Sequence, residues 1–441
     1  VTAEPPDERR MTAKGRATRE RIVQAAAEVV LAEGLSELSL DKVRKAASVS
    51  GSQLTHYYAD KQSLIRAVVE RQIEDILDFH RQPNLGGLET LDDFERWIDL
   101  SMRHVRRIGY DAPTYHALTG QLAKTDDATR RTLADGYAQW VELLAQSFQR
   151  MKDHGVLVKR AKPRQLALVA VAAHQGSATI AFTYRQEWAF ADTLRFVVNH
   201  VRMFAADDEQ RTPRRPRRPR DYRRPAPLVD DSAERFTRKG SATRARIVAG
   251  AAQLMFDHGV KSVSLKDVRS AVGVSGSQLS HYFADKRDLT RQVIAARTDD
   301  VVEFHTQPAF GELDSLRALR AWSSACMAQV EKVYLRGGCV YGSLSGELFE
   351  ADCDVRDDLA AGYDAWLRLF QNGVAQMRRR GDLIDGADPR HLAVALLAAH
   401  QGGAMLTHTT KRADPFEVTV NAAVDYVRSF RPTQRSLSRR P

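Results

Sequence analysis

Residues 39–61 read SLDKVRKAASVSGSQLTHYYADK, and residues 264–286 read SLKDVRSAVGVSGSQLSHYFADK. The spacing between the two stretches is a constant 225 residues, and Val49–Lys61 differs from Val274–Lys286 only at Thr55/Ser280 and Tyr58/Phe283. A period this long is not a solenoid repeat; the chain carries one domain design twice. Ser39 is placed to cap a short helix running to about Ala46, with Leu40, Val43 and Ala47 on one face. After a turn, Ser50 caps a second helix from Gly51 to about His56. Two short helices across a tight turn predict a helix-turn-helix. Leu54 and Leu279 would pin the second helix to the domain. Ser52, Gln53, Thr55 and His56 would face outward, matched by Ser277, Gln278, Ser280 and His281. That set suits a major groove, where Gln pairs bidentately with adenine and hydroxyls are tolerant partners. Small residues at the helix start, Gly51 and Ser52, let the backbone approach phosphate. Lys61 and Lys286 open the next helix within reach of a phosphate.

Leu54-Thr55-His56-Tyr57-Tyr58-Ala59-Asp60-Lys61 and Leu279-Ser280-His281-Tyr282-Phe283-Ala284-Asp285-Lys286 resemble the Leu-Tyr-x-His-Phe-x-x-Lys signature of TetR-family transcriptional regulators. Thr55 and Ser280 stand where the family usually has Tyr. Tyr57 and Tyr282 replace its His, although a phenol also donates to phosphate. Ser48 stands where the turn normally holds Gly, as Gly273 does in the second copy; a positive φ there would cost a non-glycine residue. The candidate DNA contacts are therefore Ser50, Gly51, Ser52, Gln53, Thr55, His56, Tyr57 and Lys61, and Ser275, Gly276, Ser277, Gln278, Ser280, His281, Tyr282 and Lys286.

The 441 residues hold 66 Lys and Arg against 56 Asp and Glu, a net charge of +10. This modest excess favours a polyanionic partner. No run of 18 apolar residues predicts a membrane span, and residues 1–10 lack the apolar core of a secretory signal. Cys326, Cys339 and Cys353 all lie in the second repeat. So sparse and odd a set argues against a disulfide framework and for a reducing cytoplasm. No metal-ligand spacing, Gly-rich phosphate loop or repeated nucleophile–His constellation is present, which argues against an enzyme, a metal or a cofactor.

The remaining periodicity is helical. A first helix is expected from about Ala17 to Glu33, and its copy from Ala242 to His258, each stopped by glycine. Thr12, Lys14, Arg16 and Arg19 precede or open it, as a phosphate-touching arm or a solvated tail. A long helix from near Asp60 carries Leu64, Val68, Ile73, Leu77 and His80, and ends at Gln82-Pro83; its partner ends at Gln307-Pro308. Further helices are expected over 90–108, 113–123, 127–154, 163–185 and 190–205, then 314–335, 340–350, 353–380, 389–410 and 415–430. Between Trp97/Trp322 and Tyr115/Tyr341 the offset rises from 225 to 226, so one residue is inserted in the second copy. The stretch 206–234 interleaves eight arginines, from Arg211 to Arg224, with prolines. It reads as a linker that spans up to about 90 Å at ~3.1 Å per residue, either a solvated spacer or a phosphate-tracking strand.

The expected architecture is all-α: two tandem TetR-like units, each a helix-turn-helix head and a helical ligand-binding and dimerisation body. Heads fall at 12–59 and 235–284 and bodies at 60–205 and 285–430. The resemblance implies a four-helix interface from the last two helices of each body, with small residues Ala172, Ala173, Gly176, Ser177, Gly402 and Gly403 allowing close approach. That interface joins the halves of one chain or, alternatively, two chains. The resemblance also implies a cavity for a small organic effector in each body. Candidate lining residues are Trp97, Tyr115, Trp140 and His174, and Trp322, Tyr341, Trp366 and His400. A cytoplasmic, ligand-relieved repressor on a near-palindromic operator follows; a helical interaction scaffold with vestigial heads is the rival.

Overall fold

The computed structural model describes residues 11–110, 114–216, 223–225 and 236–432. The ends 1–10 and 433–441, residues 111–113, where the helix expected over 113–123 begins, 217–222 and 226–234 of the linker, and residue 235 lie outside the described residues. In the first half, α1 (Ala13–Glu33), α2 (Leu40–Ala46) and α3 (Gly51–Tyr57) form the head. The long α4 (Lys61–Arg81) leads to α5 (Leu91–Ile108), α6 (Tyr115–Leu122), α7 (Asp127–Asp153), α8 (Pro163–Tyr184) and α9 (Trp188–Arg202). The second half repeats this as α10 (Arg238–His258), α11 (Leu265–Val272), α12 (Gly276–Tyr282), α13 (Lys286–His305) and α14 (Leu316–Met327). A π turn, Val330–Tyr334, and the one-turn α15 (Leu335–Gly337) follow. Then come α16 (Val340–Glu347), α17 (Cys353–Arg380), α18 (Pro389–Thr410) and α19 (Asp414–Arg428).

Each boundary has a local cause. Side chains of Thr12, Ser39, Ser50, Asp60 and Thr90 accept N–H bonds from the first turns of their helices, satisfying donors the helix leaves unpaired. The first helix starts earlier than its apolar stripe suggests, at Ala13 rather than Ala17, because Thr12 caps it; Thr237 likewise starts α10 at Arg238. The basic arm of Lys14, Arg16 and Arg19 is thus helical. The single helix expected over 314–335 is broken at Met327, and the inserted residue is absorbed by the π turn, which adds one residue to a helical turn.

Helix α8 is apolar around its whole circumference, as a fully enclosed helix must be. It is long and apolar enough to cross a membrane, but 94% of that stretch is buried in the fold. It packs on α7 and α9 of its own half and on α18 and α19 of the other. The contact needs glycine. A Cβ on Gly176 would lie 1.9 Å from the Ala398 carbonyl oxygen, and one on Gly402 1.6 Å from that of Ala172. Where α6 meets α16, a Cβ on Gly120 would lie 2.6 Å from Gly346 Cα. Gly176 and Gly402, like Gly120 and Gly346, are counterparts in the repeat, so each meets its own equivalent, the mark of a twofold relation.

The linker's described residues lie against the bodies. Asn199 clasps the backbone of Arg214, its Oδ1 accepting the N–H at 3.0 Å and its Nδ2 donating to the carbonyl at 2.8 Å. Gln186 holds Arg223 in the same way. The side chain of Arg214 pairs with Glu95 and that of Arg224 with Asp364. These two arginines are spent on carboxylates of the bodies rather than left for phosphates.

Candidate functional site

The reading helices are short, capped and exposed. Leu54 and Leu279 are buried beneath them. Ser50, Gly51, Ser52, Gln53, Thr55 and His56 stand exposed, as do Ser275, Gly276, Ser277, Gln278, Ser280 and His281, while Tyr57, Tyr282, Lys61 and Lys286 are half-buried. Burial lowers the Lys286 ammonium, with the Asp267 charge opposing. The two glutamines are not idle. Ser50 Oγ accepts from Gln53 N at 3.1 Å while Gln53 Oε1 accepts from Ser50 N at 2.9 Å. Ser275 and Gln278 repeat both bonds at 3.1 and 2.9 Å. This is a capping box, and its Ser-x-x-Gln spacing was visible in the sequence without being read as one. Thr55 and Ser280 bond back to the carbonyls of Ser52 and Ser277. Tyr57 turns toward the start of α1, its hydroxyl beside Gly15, and Tyr282 does the same beside Gly240. The turn needs the left-handed conformation in both heads: φ is 51° at Ser48 and 69° at Gly273.

Behind each head the body is built around a histidine. His80 Nδ1 donates to the Ile76 carbonyl at 2.8 Å, which leaves Nε2 as the acceptor for both Trp97 Nε1 at 3.1 Å and Trp140 Nε1 at 3.3 Å. His305 repeats this with Val301, Trp322 at 2.9 Å and Trp366 at 2.8 Å. Burial pushes both rings down to about 4, keeping them neutral. The sequence placed His80 on the inner face of α4 but gave no sign of its indole partners.

Two cavities flank these clusters. The first, about 270 Å³, is lined by Tyr115, Trp140 and His174, joined by His80, His104, His116, Ser101 and Thr114. The second, about 200 Å³, is lined by Trp366 and His400, with His305, Tyr334 and Cys339. Trp97, Trp322 and Tyr341 do not line them. The tryptophans are held behind by the histidines, and the Tyr341 hydroxyl donates to the Leu359 carbonyl at 2.8 Å. His104, His116, Ser101, Thr114 and Tyr334 were not singled out from the sequence, since nothing in their spacing marks them. Burial pushes His116 and His174 down to about 3, and the closeness of His80, His116 and His104 further disfavours a proton on the latter.

The family model described as bacterial regulatory proteins, tetR family, matches this chain twice, over residues 22–68 and 247–293. The chain belongs to the TetR family. A second model, tetracyclin repressor-like, C-terminal domain, matches residues 315–423. Transcriptional regulator AcuR of Cereibacter sphaeroides is 25% identical over 160 residues, 36% of this chain and 73% of that protein. HTH-type transcriptional repressor DhaR of a Mycobacterium species is 22% identical over 174 residues, 40% of this chain and 86% of that one. Similar solved structures include the regulatory protein TetR from Rhodobacter sphaeroides, 22% identical over 42% of this chain and 98% of that chain, TM-score 0.39. Another is a TetR transcriptional regulator from Chloroflexus aurantiacus, 24% identical over 44% and 97%, TM-score 0.40. This TetR-family chain, with two family heads, is a transcriptional regulator and not an enzyme.

Proposed function

We propose that the chain is a single-chain repressor whose two halves pair with each other, reading a near-palindromic operator and releasing it when an effector enters a body cavity. The observation that carries this reading is the meeting of counterparts, Gly176 with Gly402 and Gly120 with Gly346, across α8–α18 and α6–α16. An interface that joins a surface to its own equivalent closes on itself and leaves no site for a further subunit.

The polar contacts across the halves favour pairing of a first half with a second half over pairing of two like halves, as the two halves of one chain can do. Asp192 meets His391 Nδ1 at 3.2 Å, and Asn199 Nδ2 donates to the Tyr426 hydroxyl at 2.8 Å, all four side chains being buried. Lys124 pairs with Glu347 at 2.8 Å. The repeat places Gln165 at the position of His391, His200 at that of Tyr426 and Gln121 at that of Glu347. Two first halves brought together would exchange these partners for Gln165, His200 and Gln121 and lose the charge pair of Lys124 with Glu347.

Matched heads on one frame suit half-sites about one helical turn apart, ~34–36 Å. The proposed contacts are the exposed residues of α3 and α12 with Lys61 and Lys286 on phosphates. An effector acts only through its different affinity for the two states, and α4 and α13, which run from heads to cavities, are the levers. Selection from a random DNA pool followed by gel-shift titration tests the reading. A near-palindromic, salt-sensitive site is expected; absence of any sequence preference would refute it.

A further inference from the structure

The two bodies are copies, but their cavities are not equivalent. In the first, three buried polar atoms lack partners among the described residues: Ser101 Oγ, Thr114 Oγ1 and His116 Nδ1. In the second, the repeat puts Cys326, Val340 and Gly342 at those positions. A buried polar atom without a partner is costly, so its presence in one copy and removal from the other point to a guest in the first alone.

In the second cavity, which keeps about 200 Å³, a side chain of the protein itself already covers the aromatic face. The π turn that absorbs the extra residue carries Tyr334 inward. Its ring stacks on Phe416, centroids 4.0 Å apart, and its hydroxyl lies 2.9 Å from His400 Nε2. His400 is left 3% exposed. The first body has Ile108 and Gly109 at this place, and their counterpart surfaces stay open: Phe190 and His174 both line the cavity, and His174 remains half-buried.

We infer that one effector binds per chain, in the first body only, and that it is an uncharged hydroxylated aromatic molecule taking over His174 and Phe190 the place that Tyr334 takes over His400 and Phe416. The inference rests on the effector-relieved reading above and names its ligand class and stoichiometry. Ser101, Thr114 and His116 would take up the guest's further polar atoms. Asp75 is the one formally charged residue lining the cavity among those described, and the histidines are held neutral. An anion would therefore find no cation there.

The test uses 4-bromophenol with the full chain, counting bound molecules by equilibrium dialysis and locating them by bromine anomalous scattering in crystals. The wild type is expected to bind one, between His174 and Phe190. Tyr334→Ala should bind two, Tyr334→Phe, which keeps the plug, one, and His174→Ala none. No binding, or two molecules in the wild type, or a single one in a folded Tyr334→Ala variant, would overturn the inference. Operator release is measured separately. If DNA is released with two molecules bound, or operator binding persists while no phenol binds, the inference fails and the regulator reading stands. Loss of specific DNA binding in the free protein fails that reading instead.

Discussion

Glu350, in the turn after α16 of the second body, accepts the backbone N–H of Leu35 in the first head at 2.7 Å. The same carboxylate takes the Ser36 hydroxyl at 3.0 Å and the Lys261 ammonium of the second head at 3.3 Å. One side chain thus ties both reading heads to a common point on the bodies. Burial alone would raise its pKa, but the Leu35 N–H, the Lys261 charge and the Ser36 and Gln121 donors outweigh it and hold the carboxyl below the ordinary range. This contribution is present above the unfolded carboxylate pKa and is lost as pH falls through the lower, folded one. Glu350→Ala should raise amide hydrogen exchange at Leu35 by about tenfold or more, the loss of a charge-assisted bond worth ~1.5 kcal/mol or more. It should also weaken operator binding. Unchanged exchange at this amide would show that the contact does not restrain the head.

Ser48 holds φ at 51° where the second head has Gly273. A left-handed conformation costs a non-glycine residue roughly 1–2 kcal/mol, offset in part by the greater freedom glycine loses on folding. Ser48→Gly should therefore stabilise the first head by about 0.5–1 kcal/mol and leave the DNA sequence preference unchanged. A drop in thermal midpoint would refute this account of the turn.

Gln53 and Gln278 close capping boxes, so their replacement by Ala confounds helix stability with DNA reading. Glu satisfies the same box but brings a charge that phosphates repel and has no N–H for adenine N7. The double variant Gln53→Glu, Gln278→Glu should keep its thermal midpoint, with any change within about 0.5 kcal/mol, while operator affinity falls at least about tenfold, ~1.4 kcal/mol. Equal affinity in a gel-shift titration would remove these side chains from the DNA interface.

His80 and His305 each accept two indole N–H bonds and are held down to about 4 by burial. A histidine lowered from its ordinary value contributes stability that is complete above about 6.5 and is lost as pH falls toward about 4. Protonation would place a third N–H donor against the two indoles. Acid unfolding followed by tryptophan fluorescence should begin below neutrality. In His80→Phe, Trp97 and Trp140 lose their acceptor, at a cost of about 1–3 kcal/mol each, and the acid limb should flatten. An unchanged acid profile would contradict the arrangement.

The repeat, the caps at Ser39 and Ser50, the Gln-Pro ends of α4 and α13 and the small residues of α8 and α18 were all legible, because each is a local pattern of few residues. What escaped was what only the fold brings together. The partners of His80 lie on α5 and α7, at separations no motif records. The extra residue near 330 showed as a shift in register, but only the helix geometry makes it a π turn that carries Tyr334 into a cavity. Glu350 reads as one more surface acid until the two halves are side by side. Of the eight candidate cavity residues, five line cavities and Trp97, Trp322 and Tyr341 sit outside them; an aromatic stripe on a helix does not separate lining from core.

The most direct test is the mass of the protein in solution, free and bound to its selected operator, measured by sedimentation over a wide range of chain concentrations. Pairing of the two halves within one chain predicts a 49.4 kDa particle that stays the same on dilution and binds the near-palindromic operator as one chain per duplex. A particle of twice that mass, dissociating on dilution and binding as two chains with four heads, would contradict it.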